Sequence, residues 1–179
     1  MIRLICRFDI FMEKRQRRQN REGERERSEF DQKVVEVKRV TRVMAGGKRM
    51  RFRALVVIGD HKGKVGVGLK KGADVSGSVE KAVNAAKKNL ISLPLVNGTI
   101  PHQLKVKYKA SRLNLMPARP GTGVIAGGAV RQVFELAGIK NVVSKMFGSN
   151  NKVNNVKAVF EAFRKMKSKE QIAKMRNSK

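Results

Sequence analysis

The chain has 179 residues, with 41 Lys and Arg against 14 Asp and Glu and a formal net charge of +27. Self-repulsion on that scale calls for a strongly anionic partner, yet 41% of the residues are hydrophobic, too many for a wholly disordered basic tail. The single cysteine, Cys6, excludes an intramolecular disulfide and fits a reducing compartment, and no apolar run is long enough to span a bilayer, so a cytoplasmic protein without a membrane partner is expected.

In chain order, residues 1–33 mix both signs and carry a net charge of only +3. Residues 13–29 (EKRQRRQNREGERERSE) show no apolar periodicity and are expected to be a flexible extension ordered on its partner. The apolar opening before Met12 is unlike the charged stretch after it, and charge interrupts it too often for a signal-peptide core. Met12 is therefore expected to be the functional start. Beyond residue 33 the acids almost vanish. No Asp or Glu falls between Glu36 and Asp60 or between Glu80 and Glu135, whereas a solvated surface normally mixes signs.

A first folded unit is expected over 34–92, in the order strand, strand, strand, helix. Val34 to Val43 is rich in β-branched residues, with a break in alternation at Arg39 and Val40 that suggests a bulge. Ala45-Gly46-Gly47-Lys48 makes a tight connection. In the second strand Met50, Phe52, Ala54, Val56 and Ile58 share one face, while Arg49, Arg51 and Arg53, then Leu55 and Val57, share the other. After the turn at Gly59 to Gly63, Val65, Val67 and Leu69 alternate with Gly66 and Gly68. Asp74 is placed as a helix N-cap, followed at helical spacing by Val79, Ala82, Val83, Ala86 and Leu90.

Ser92-Leu93-Pro94-Leu95 leads into a second unit over 98–166, with the order β-β-α-β-α. His102, Leu104, Val106 and Tyr108 alternate with Gln103, Lys105, Lys107 and Lys109. A strand is expected over Arg112 to Met116, and then PARPGTGVIAGG (117–128), too glycine-rich for regular structure. A helix carries Val130, Val133, Phe134 and Ala137 and stops at Gly138. Asn141 to Phe147 reads as a strand, and Lys152 to Met166 as a helix with Val153, Val156, Phe160 and Phe163 inward, the candidate surface for a neighbouring protein. Ser168 to Gln171 resembles a capping box in the basic tail, 167–179. The whole is an α+β fold of two small units expected to dock on each other or on RNA.

No enzyme is read here. His61 and His102 are far apart, His61 is expected to be a solvated turn residue, and no acid pair suits acid–base work. No metal or cofactor is expected. Gly121-x-Gly123-x-x-Ala126 matches a dinucleotide-binding pattern by letter, but it lacks the preceding strand and the acid roughly 20 residues on. The glycine-rich loop instead lets backbone amides approach phosphates closely.

RNA is the expected partner, recognised by shape and backbone because most aromatics fall on inward faces. The expected contacts are Arg42, Gly46, Gly47, Lys48, Arg49, Arg51 and Arg53 on the hairpin. Lys62, Lys64, Lys70 and Lys71 lie on the next turn and strand, and Arg112, Arg119, Gly121, Gly123 and Arg131 around the glycine-rich loop. A free double-stranded-RNA-binding regulator and a small kinase-like nucleotide binder are the rival readings.

GGKRMRFRALVVIGDHKGKVGVG (46–68) with EKAVNAAKKN (80–89) resembles the first domain of the small-subunit ribosomal protein number five family, or S-five. GTIPH (98–102), SRLNLMPARPGTGVIAGGAVRQVFELAGIKNVVSK (111–145) and GSNN (148–151) resemble its second. The resemblance implies a β-β-β-α domain similar to double-stranded RNA-binding domains, followed by the α+β domain named for the family. It also implies a non-enzymatic role in the ribosome: binding 16S-type rRNA beside proteins S-four and S-eight, close to messenger RNA, supporting assembly and decoding accuracy. No homo-oligomer is expected. The loop from Arg42 to Lys48 looks like the family's loop beside the spectinomycin site. Three positions depart from the pattern. Ala45 stands where a lysine is common, Leu69-Lys70-Lys71-Gly72 replaces a glycine–lysine turn, and Ala110 replaces a frequent glycine.

Overall fold

Fourteen residues rich in valine, Asp31–Met44, form the long first strand, β1, which pairs antiparallel with β2 (Gly47–Gly59). The computed structural model describes residues 30–167 and 173–176. The expected extension, apart from residues 30–33, therefore lies outside the described residues, as do Met12 and the 168–171 capping box. β1 begins at Asp31 rather than at Val34. Its register shift falls between Val34 and Glu36, not at Arg39 and Val40. The extra residue is Val35, which the bulge turns into the core.

β2 also pairs with β3 (Lys64–Gly72), and β3 with the short β4 (Leu90–Ser92), giving a sheet of order β1-β2-β3-β4. Leu90, expected on the helix, belongs to this edge strand, which the apolar spacing does not reveal. The Leu69 to Gly72 run stays extended and paired with β2, so no turn replaces it. Between β3 and β4 runs α1 (Val75–Lys87); Asp74 holds the N-cap position but its side chain makes no capping hydrogen bond.

α1 lies on one face of this sheet, where Ala54, Val56 and Ile58 meet Ala82 and Ala86. Gly66, Gly68 and Gly72 make that approach possible. A Cβ on Gly66 or Gly68 would overlap the carbonyl oxygen of Ala86 or Ala82, and one on Gly72 would crowd the amide of Ser78. The alternation of glycine with Val65, Val67 and Leu69 therefore separates a helix-contact face from a core face.

The second sheet has the order β5-β6-β8-β7. β5 (Leu104–Tyr108), β6 (Ser111–Pro117) and β8 (Val142–Gly148) are antiparallel, and β7 (Val124–Ile125) runs parallel to β8. The glycine-rich stretch thus contains a two-residue strand, because backbone pairing with β8 overrides its composition. α2 (Gly128–Ala137) connects β7 to β8, and α3 (Lys152–Lys165) comes after β8, capped by Asn151, whose Oδ1 accepts from the Val153 amide. Both helices cover the face carrying Val106, Leu113, Leu115 and Val142. There Ser111 Oγ, itself buried, donates to Asn155 Oδ1 at 2.5 Å.

The two units share one core. Val35, Leu55, Val57 and Val65 of the first sheet are continuous with Val133, Phe134, Leu136 and Phe163 of the second unit. Each such side chain contributes about 1.5–3 kcal/mol through burial. Docking of the units on each other, expected from their small size, is what the structure shows. Among the described residues no helix is long and apolar enough to cross a membrane.

Gly68→Ala is expected to destabilise the protein by about 1–3 kcal/mol in denaturant unfolding, because the new methyl meets helix backbone that cannot yield cheaply. Gly77→Ala, in the same helix with open space at its Cβ, should instead stabilise by up to about 1 kcal/mol.

Candidate nucleic-acid interface

The hairpin of β1 and β2 outruns the rest of its sheet. β3 pairs with β2 only from Phe52 onward, so the remainder projects roughly 20 Å as a two-stranded arm. Its tip is Ala45-Gly46, with Gly47 next at φ +122, a conformation that disfavours side chains. Cross-strand register puts Arg42 directly opposite Arg49, and a row of Lys38, Arg53 and Lys71 spans three strands. Arg51 lies between them on the same face. Like charges opposed in this way destabilise a hairpin in isolation. Glu36 relieves only Lys38, at 3.3 Å. Lys48 alternates to the other face, beside the exposed Val43 and Met50.

The remaining candidates do not join this cluster. Lys62 and Lys64 sit at the turn between β2 and β3, about 40 Å along β2 from the arm's tip at the usual strand rise. Asp60 organises that turn by accepting the amides of Lys62 and Lys64 at 2.8 and 2.9 Å. Burial pushes its carboxyl up, but these hydrogen bonds outweigh it and the net shift is downward. Lys70 and Lys71 point to opposite faces of β3, and only Lys71 shares the arginine row.

The glycine-rich loop differs from its expected use. The amides of Gly121 and Gly123 both donate to Asn141 Oδ1 at 3.1 Å, so they are already occupied and do not form an open phosphate cradle. Both residues have positive φ and open space at Cβ. Arg119 is exposed on this loop, whereas Arg131 donates through Nε to Glu135 at 3.0 Å.

His61 is not a free turn residue. Its amide donates to Leu136 O at 3.1 Å, and its ring nitrogens lie 2.8 Å from Glu135 O and 2.9 Å from Asp31 Oδ2. Both ring partners are acceptors, so the ring donates from whichever nitrogen carries the proton. The His61 amide satisfies the Leu136 carbonyl at the C-terminus of α2. The helix end closes on itself as well, with the Gly138 amide on Glu135 O and the Ile139 amide on Phe134 O. Glycine is required on both sides of this joint. A Cβ on Gly59 would overlap Leu136 O, and one on Gly138 would overlap His61 O. Lys33 closes the joint at 2.6 Å from Glu135. Hydrogen bonds from Lys33 and then Arg131 hold the Glu135 carboxyl below the usual glutamate range, against burial that raises it.

The outer face of the second sheet gathers residues around Arg112 that the sequence leaves apart. Lys105 and Lys107 of β5, Arg112 of β6, and Lys145 and Phe147 of β8 all turn to solvent there. The alternation of β5 gave the lysines, but only the pairing of β8 with β6 brings Phe147 beside them. The helix proposed as a protein contact, α3, is buried over most of its circumference, leaving Lys152, Arg164 and Lys165 exposed.

Comparison with known proteins gives matches in both units. The profile described as ribosomal protein S5, N-terminal domain, matches residues 30–94, and that for ribosomal protein S5, C-terminal domain, matches 106–176. Small ribosomal subunit protein uS5 of Chloroflexus aurantiacus is 49% identical over 149 residues, covering 83% of this chain and 84% of that protein. The uS5c protein of Rhodomonas salina is 45% identical over 161 residues, covering 89% and 95%. The uS5c protein of Spinacia oleracea is 49% identical over 154 residues, covering 86% of this chain and 50% of that protein.

A carboxyl whose folded pKa is depressed contributes stability above its ordinary titration range, and loses it as pH falls through the folded value. Glu135→Gln should therefore lower stability at neutral pH by less than about 1 kcal/mol, as suits a partly exposed pair. The difference from wild type should shrink towards zero in acid, measured by urea unfolding across pH.

Proposed function

Because the chain belongs to the ribosomal protein S5 family, we propose that its β1–β2 arm anchors it on structured rRNA of the 16S type. It is a structural protein of the small ribosomal subunit, not an enzyme. The observation that carries this reading is that Arg42, Arg49, Arg51, Arg53 and Lys71 share a face of the sheet, and that among the described residues Glu36 ion-pairs only with Lys38 there. An arginine fork pairs well with phosphate oxygens, and RNA backbone removes the cross-strand repulsion that the free arm must tolerate. Arg119 and Arg112 add contacts on the second unit, and Lys62 and Lys64 a separate contact at the far end of the first sheet. The open glycine conformations at Gly121 and Gly123 keep the loop low enough for a neighbour to approach.

The finer role rests on the family resemblance. The protein supports small-subunit assembly and decoding accuracy near the path by which messenger RNA enters, with S-four and S-eight as neighbours.

Filter binding to small-subunit rRNA over a range of salt tests the arm. Each phosphate neutralised contributes about one unit of slope in log affinity against log salt. Arg49→Ala with Arg51→Ala should weaken binding and reduce the slope by about two. An unchanged slope removes the arm from the interface.

A further inference from the structure

The open face of the second sheet combines three properties that recognition of an unpaired nucleotide requires. It is cationic without local compensation: Lys105, Lys107, Lys109, Arg112 and Lys145 make no ion pair among the described residues, and β5 to β8 contain no acid. It carries an exposed aromatic ring, since Phe147 is 47% exposed where a core phenylalanine would be covered. The other aromatic of this sheet, Tyr108, is not available in the same way, because Lys157 Nζ lies 5.9 Å from its ring centroid. Finally, ring and cations are in register. Lys107 pairs with Arg112 and Arg112 with Phe147, so the three form one row across β5, β6 and β8, about 10 Å from end to end. Two residues along, Lys105, Asn114 and Lys145 form a parallel row.

The first row borders an open cleft of about 470 Å³ lined by Lys107, Lys109, Ala110, Arg112, Phe147 and Gly148. Its far wall is the β5–β6 turn. There Lys109 has φ +52, a left-handed conformation that a residue with a side chain adopts at a cost. Because that strain sits at Lys109, Ala110 needs no positive φ and fits in place of the family's frequent glycine. The turn thereby places the Lys109 ammonium at the mouth of the cleft.

We infer that this face binds single-stranded RNA, one base stacking on Phe147 while Arg112, Lys107 and Lys109 hold the adjoining phosphates. The charge complementarity selects a polyanion over a protein surface, and the flat sheet with one ring at its edge selects an unstacked base over a duplex. The inference rests on the RNA-binding reading above and adds a second mode of contact, separate from the arm.

The test uses the full chain and a short oligouridine carrying one 2-aminopurine, whose fluorescence is quenched on stacking, alongside filter binding to small-subunit rRNA. The wild type should bind the oligonucleotide with quenching. Phe147→Leu should lose the quenching and roughly tenfold or more in affinity, and Phe147→Tyr should restore both, which separates loss of the ring from loss of the fold. Arg112→Gln should weaken binding and lower its salt slope. The inference is overturned if Phe147→Leu binds and quenches as wild type does, or if only Arg49→Ala with Arg51→Ala abolishes oligonucleotide binding. In both cases retained rRNA binding leaves the arm's role standing. Failure of the wild type to bind rRNA at all overturns both readings.

Discussion

The end of α2 meeting the turn between β2 and β3 is the contact on which the arrangement depends. The Leu136 carbonyl at the helix end accepts from the His61 amide of the other unit, and the Glu135 carbonyl, which already accepts from the Gly138 amide, also meets the His61 ring. The approach is close enough that backbone meets backbone at Gly59 and Gly138. Around it Leu55 and Val57 reach the same core as Phe134 and Leu136. β2 is therefore buried on both faces at this end, by α1 on one side and by the second unit on the other. A strand buried that way cannot shift register without exposing an entire apolar face. The projecting arm is an extension of that immobilised strand, so its direction is fixed by the core.

The excess of positive charge has a spatial counterpart. Where both faces of β2 are buried, no ionisable side chain occurs from Ala54 to Gly59. Once the strand leaves the core, arginines occupy every second position, and their cross-strand neighbours are often cations as well. Folding energy is concentrated in the shared core, and the arm tolerates repulsion because it is not required to be stable alone. Acids appear instead where they organise structure: Asp60 in the turn, Asp31 on His61, and Glu135 between Lys33 and Arg131.

Much of this was legible where one face of an element is buried. The alternation in β2, the helical spacing of Val130, Val133, Phe134 and Ala137, and the stop at Gly138 all reflect burial on one side, which imposes a period. The arm has no buried face, so alternation there carries no register. The break at Arg39 and Val40 therefore indicated a bulge that is absent, while the real one at Val35 hides in an unbroken pair of valines. β4 and β7, of three and two residues, exist only through pairing with strands distant in sequence and leave no local pattern. The glycines of β3 were visible as a face, but their purpose depends on where α1 lies. His61 read as solvated because its three partners come from Asp31, Glu135 and Leu136, and no local rule joins those positions. The candidate RNA contacts are legible only as residue types, and the structure separates them into an arm, a remote turn, the glycine-rich loop with the helix after it, and a sheet face.

Through this joint and the shared core the two units form a single cooperative body, which holds both cationic surfaces in fixed relation. Native-state hydrogen exchange tests it most directly, by comparing core amides of the first unit, such as Val56, with those of the second, such as Val133. Both sets should exchange only through global unfolding, with opening free energies equal within about 1 kcal/mol. Exchange of the first-unit amides through a separate opening, several kcal/mol less costly while the second unit stays protected, would contradict that cooperativity.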